Sequence, residues 1–161
     1  MDLDKPALIA AIRARIADEL ATMTRLAQDA ADAASHEENK PENDKDMRST
    51  EASYVARGQA GRARDLERAL ALLDALLPRD FQPGDAIAAS ALVELSHRGS
   101  KTVCLLLPIG GGQRVRAGDV EVQAVTPQSP LGAALLGLTE GDEAEVRTPQ
   151  GTKFYEIVRV W

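Results

Sequence analysis

Two stretches in the first half of the chain carry apolar side chains at alternating three- and four-residue spacings, and side-chain size runs in opposite directions along them. The first reads Ile9, Ile12, Ile16, Met23, Leu26, Ala30 and Ala33, with one miss at Glu19, where Leu20 can substitute. The second reads Ala52, Ala56, Ala63, Leu66, Leu70, Leu73 and Leu77. Spacing of this kind is the seam of paired helices. The large residues open the first seam and close the second, so only antiparallel pairing sets large beside large and small beside small. A coiled-coil hairpin over residues 1–77 is therefore expected. Asp4 is the predicted N-cap of its first helix, with Pro6 in the first turn. The second helix is expected to start between Asp46 and Ser49 and run to Leu77, where Pro78 ends it. Helices of about 30 residues are roughly 45 Å long. A hairpin of that length cannot close a globule alone, so its base must rest on the second half.

Composition supports a split. Residues 1–80 hold 18 alanines and only two glycines, Gly58 and Gly61, whereas residues 81–161 hold ten glycines and five of the eight prolines. Alanine loses least on helix formation, and closely spaced Gly and Pro mark turns between strands. The predicted strands are Leu92–Ser96, Thr102–Leu107, Val120–Thr126, Glu143–Thr148 and Lys153–Val160, with a short helix over Leu131–Leu136. Gly110-Gly111-Gly112 lacks the strand-to-helix context and the Lys-Ser/Thr ending of a phosphate loop, and reads as a flexible hairpin turn. The expected class is α+β: hairpin 1–77, linker 78–83 and a small α+β domain over 84–161.

The connection between the helices, Ser35 to Asp46, holds five acids against two lysines. Carboxylates at Glu42, Asp44 and Asp46 can converge on one hard cation such as Mg²⁺ if the turn folds back. The alternative is a solvated polar turn whose acids favour a helix start. On the second helix Arg57, Arg64 and Arg68 share a face, as ordinary surface charge with partners such as Asp65 and Glu67, or as a contact for an acidic partner surface or an RNA phosphate. Gly58 and Gly61 suggest a bend or a close approach of the two helices.

The remaining features mostly exclude. A net charge of -6 argues against broad attraction to bare nucleic acid. No apolar run reaches membrane-spanning length, and the acidic start MDLDKPALIAAI is unlike a signal peptide, so a cytoplasmic location with no membrane partner is expected. The single Cys104 forms no intrachain disulfide and reads as a buried small hydrophobe. His36 reads as a helix-end or surface residue, and His97 as a turn residue with no visible partner.

The run Ser129-Pro130-Leu131-Gly132-Ala133-Ala134-Leu135-Leu136-Gly137-Leu138-Thr139-Glu140-Gly141-Asp142 resembles the S-P-[LI]-[GA]-R-A-L-[LI]-G-K-x-x-G-D pattern of the GreA/GreB family of bacterial transcript cleavage factors. Thr148-Pro149-Gln150-Gly151 and Phe154-Tyr155-Glu156-Ile157-Val158 are similar to that family's T-P-G-G and closing strand. Ala56-Arg57-Gly58-Gln59 and Arg64-Asp65-Leu66-Glu67 resemble its A-R-E-Q and K-D-I-E. The resemblance implies an N-terminal antiparallel coiled coil and an FKBP-like C-terminal domain. It implies docking on RNA polymerase, with Ser129, Pro130, Leu131, Gly132, Arg57 and Arg64 as candidate contacts.

By the same resemblance the hairpin enters the polymerase's secondary channel. There Glu42, Asp44 and Asp46 would share a Mg²⁺ with the polymerase and assist cleavage of the nascent RNA 3′ end. Such a protein has no cofactor of its own, is not an enzyme alone, and is expected as a monomer. Departures from the pattern are specific. Glu42-Asn43 matches the family's E-N, but Asn39 stands where the family has Asp. Ala133 and Leu138 stand where it has Arg and Lys. Alternatives are a channel-binding regulator or inhibitor without cleavage, and a coiled-coil adaptor or chaperone-like module outside transcription. Five aromatics in all weigh against a prolyl isomerase pocket.

Overall fold

The computed structural model describes residues 3–38 and 45–161. It forms two compact units: Met1–Ala14 with Leu72–Trp161, and Arg15–Ala71. Two long helices dominate the first half, α1 (Lys5–Glu38, 34 residues) and α2 (Lys45–Asp74, 30 residues). Asp4 caps α1 as expected, its carboxylate accepting the Ala7 amide at 2.9 Å. Within the second unit Arg62 donates to Glu19 at 2.7 Å. Glu19 lies 19 residues before the end of α1 and Arg62 17 residues after the start of α2, so the helices run antiparallel. The break in the first seam is thus occupied by a half-buried carboxylate that α2 neutralises.

Side-chain burial follows the predicted seam where its residues are large. Ile9, Ile12, Ile16, Leu66 and Leu73 are buried. Met23, Ala30, Ala56 and Ala63 are half-buried on the same seam, and at two positions burial is displaced by one residue. Ala27 is half-buried while Leu26 is 40% exposed, and Ala69 is buried where Leu70 is only half-buried. A straight helix turns every 3.6 residues, so a seam extrapolated at 3.5 drifts off its face. Leu77 is 86% exposed, because α2 ends at Asp74 rather than at Leu77. Pro78 disfavours helical geometry at the residue before it, and the chain leaves the helix through a tightened turn in which Leu76 donates to the Leu73 carbonyl. In the first unit Asp74 receives a two-pronged bond from Arg13, the Nη2 arm measuring 2.9 Å. This guanidinium bond holds the Asp74 carboxyl below the usual carboxylate range.

The second half forms a six-stranded mixed sheet ordered β3-β4-β2-β1-β6-β5. The strands are β1 (Leu92–His97), β2 (Ser100–Leu106), β3 (Arg114–Ala117), β4 (Val120–Val125), β5 (Glu143–Thr148) and β6 (Gly151–Val160), with helix α3 (Pro130–Leu135) between β4 and β5. The strand β3 is absent from the sequence expectation. It has four residues, Arg at two of them, and only Val115 is buried, so no apolar alternation announces it.

Strands β2 and β4 pair in parallel, which a hairpin cannot produce. Gly110–Gly112 is therefore part of a crossover loop and not the hairpin turn expected of it. The hairpin turn is Gly118-Asp119, between the antiparallel β3 and β4. Alternation buries one sheet face on Val93, Leu95, Cys104, Leu106, Val125 and Ile157, with Leu135 of α3 in the same cluster. Burial raises the Cys104 thiol to about 12, consistent with a packing role.

His97 closes β1 and has partners. Its Nδ1 sits 2.7 Å from the Phe154 carbonyl, which only an N–H at that atom satisfies, and its ring lies 5.0 Å from that of Tyr155. In the segment expected as a linker, the Arg79 amide donates to buried Ser90 Oγ at 3.1 Å. Lys5, itself buried, donates to the Arg79 carbonyl, and the Lys5 and Arg79 cations both lie over the Phe81 ring. Burial is the main cause lowering the Lys5 pKa. No described helix is long and apolar enough to cross a membrane.

The expected close helix approach at Gly58 and Gly61 is not present: a Cβ built on either meets no atom within 4 Å. Each glycine carries only the backbone cost of its freedom in a helix. Gly58→Ala and Gly61→Ala should each raise unfolding free energy by about 0.5–1 kcal/mol, measured by urea denaturation of the full chain.

Candidate docking cleft

The loop after β4 is organised around one close contact. Ser129 is the N-cap of α3, its Oγ accepting the Gly132 amide at 3.1 Å while donating to the Thr126 carbonyl at 2.8 Å. Pro130 starts the helix, where no amide hydrogen is needed. Gly132 is buried, and a Cβ there would lie 2.0 Å from the Thr126 carbonyl oxygen. Backbone cannot retreat from that collision as a flexible side chain can. The Ser-Pro-Leu-Gly run is thus a folded unit in which each residue has a structural task.

The loop after α3 is built in the same manner. Gly137 takes φ +81° and donates its amide to the Ile87 carbonyl at 2.9 Å. Thr139 donates through its amide at 2.8 Å and its hydroxyl at 2.9 Å to Asp142 Oδ2. These bonds, the backbone one foremost, hold the Asp142 carboxyl below the usual range. Glu140 accepts the Val160 amide at 2.7 Å, tying this loop to β6.

The loop at 126–131 forms one wall of an open cleft of about 740 Å³. The Gly110–Gly112 crossover forms another wall, and Val146 of β5 with Lys153 and Tyr155 of β6 line the cleft as well. Val146 pairs directly with Lys153, so both side chains stand on one sheet face. Gly111 is close-set here too, since a Cβ on it would meet the Thr126 side chain at 3.0 Å. Ile109, Leu131 and Val146 supply apolar surface. The size and the mixed lining are those of a binding site for a ligand or an inserted segment.

Of the candidate contacts, Ser129, Pro130 and Leu131 line this cleft, and Gly132 lies buried beside them. Arg57 and Arg64 are exposed on α2 in the other unit, Arg64 donating to the Ala60 carbonyl at 3.3 Å. Arg68 pairs with Asp65 at 3.6 Å, the local partner the sequence offers. Glu42 and Asp44 lie outside the described residues. Asp46 falls in the first turn of α2, with its side chain outside the description. Among the described residues no group of three or more His, Cys, Asp or Glu is placed to hold a metal. Sequence reasoning missed Lys153 and Tyr155 as cleft residues. The signal was the alternation Lys153, Tyr155, Ile157 along β6, whose last member is core.

Residues 115–161 match the family model described as "Transcription elongation factor, GreA/GreB, C-term". The similarity to the GreA/GreB family is thus direct over the C-terminal part of the chain. Transcription elongation factor GreA of Jannaschia sp. strain CCS1 is 33% identical over 100 residues, covering 62% of this chain and 60% of that protein. Transcription elongation factor GreA of Halorhodospira halophila is 29% identical over 119 residues, covering 71% and 73%. The match to the first of these relatives thus spans about three fifths of its length. Among solved structures, GreA factor homolog 1 of Thermus thermophilus is similar over 92% of this chain and 94% of that one, at 17% identity and a TM-score of 0.39. The transcription elongation factor GreA/GreB from Nitrosomonas europaea covers 61% and 78%, at 27% identity and a TM-score of 0.37. The Ser-Pro-Leu-Gly and Gly-Asp runs that resemble the family's motifs are, in this chain, the turns that build one wall of the cleft and anchor β6.

Two outcomes follow from this loop geometry. Gly132→Ala should cost about 3 kcal/mol or more, a core overpacking against fixed backbone, and Ser129→Ala about 1 kcal/mol as a lost cap, both read by denaturant unfolding. Asp142 has a depressed folded-state pKa, so its stabilisation is complete above the unfolded carboxylate value near 4 and is lost as pH falls through the folded value. The Tm gap between wild type and Asp142→Asn should be constant above that range and shrink in acid.

Proposed function

We propose that this chain is an accessory transcription elongation factor of GreA/GreB type that docks on RNA polymerase through the cleft beside Ser129–Leu131 and presents its helix pair to the secondary channel. The observation that carries the reading is that the family's Ser-Pro-Leu-Gly motif borders a cleft large enough to seat a segment of a partner. The helices then carry the connecting segment, with Glu42, Asp44 and Asp46, toward the active centre and the nascent RNA 3′ end. All donors in that trio are carboxylate oxygens, which suits a hard Mg²⁺ shared with the polymerase. A shared Mg²⁺ would supply charge stabilisation at the phosphate being cut. The chain's contribution is position and negative charge, and the polymerase remains the enzyme. A cytoplasmic location goes with this role.

The measurement is RNA shortening in backtracked elongation complexes. Wild type should stimulate it, and the combined change of Glu42, Asp44 and Asp46 to Ala should abolish the stimulation while polymerase binding is retained. Cleavage that survives the triple change removes the connecting segment from the mechanism.

Asn39 favours a second reading. An amide there brings no negative charge where the family pattern has a carboxylate. A channel-binding regulator without cleavage would bind polymerase, lower promoter-dependent transcription and leave backtracked RNA intact.

A further inference from the structure

We infer that Lys153 makes the cleft selective for a polypeptide segment that presents a carboxylate beside an apolar side chain. The inference rests on the docking role proposed above and assigns the chemistry of the docked segment. The chain carries 25 acids against 19 lysines and arginines, yet among the described residues no Asp or Glu lines the cleft, and Lys153 is the one charged residue among them that does. Register fixes its orientation: Lys153 opposes Val146 and lies two residues from Tyr155, both cleft residues. Lys153 is exposed and has no ion pair among the described residues.

Its neighbours set the rest of the preference. Ile109, Leu131 and Val146 offer apolar surface to a side chain, and the Tyr155 hydroxyl and the Gln128 amide can bond an extended backbone. A lone cation in an acid-free cleft of a net-negative molecule concentrates attraction for anionic groups at one point. A basic segment would find no counter-charge in the cleft. A lysine works here as a point charge, so arginine should replace it with little loss.

The test measures binding of the intact chain to purified core RNA polymerase at low and at high salt. Lys153→Glu should bind about tenfold or more weakly at low salt and approach wild type at high salt, because the lost attraction is screened. Lys153→Gln should fall between them, and Lys153→Arg should bind like wild type. The position is exposed, so matching circular dichroism and Tm confirm folded variants. The neutral Lys153→Gln carries the comparison if the charge reversal misfolds. Wild-type binding with no change in either variant at either salt overturns the inference and leaves the docking role standing. Failure of wild type to bind polymerase overturns both.

Discussion

The approach of Gly132 to the Thr126 carbonyl is the constraint on which the β unit's site depends. It lets the chain turn back on itself within a few residues after β4, so that Ser129 can cap α3 and Leu135 can reach the core cluster. A side chain at position 132 would push the helix off its own cap. The cleft wall is thus a by-product of a folding requirement. Ser129 illustrates the point, because its hydroxyl is engaged by Gly132 and Thr126 before any partner arrives.

Charge placement follows a similar economy. Glu19 breaks the apolar seam of α1, and Arg62 answers it from α2. At the ends of the two helices that belong to the β unit, Arg13 binds Asp74. These exposed and half-exposed pairs add little stability each, but a seam of alternating apolar residues can slide and an ion pair cannot do so without loss. They bear on register more than on energy. The clustering of Lys5 and Arg79 about Phe81 does comparable work for the segment after α2, which reads from sequence as a linker.

The helices were legible because period and side-chain size carry their own information. The direction of pairing followed from the size gradients alone. Their details were less so: Leu77 continued the apolar pattern, but the chain had already left the helix, and Leu26 lost its place to Ala27 as the face rotated. Five strands were visible as β-branched runs between turns. The strand β3, half arginine, was not, because an edge strand with one buried side chain leaves almost no pattern. The Gly110–Gly112 run reads as a hairpin turn in sequence because parallel pairing of β2 with β4 is a non-local fact. The cleft was half legible. Its Ser-Pro-Leu wall has a motif, whereas Lys153 and Tyr155 reach it only through strand register.

Strand order has a consequence for how this molecule comes into being. The interior position of β6, between β1 and β5, leaves one side of β1 without a hydrogen-bonding partner until a segment far along the chain has been synthesised and seated. Until then β1 presents open amides and carbonyls beside apolar side chains, the kind of edge on which one chain templates another. The nascent protein is most prone to misassociation during that interval, and the arrival of β6 ends it.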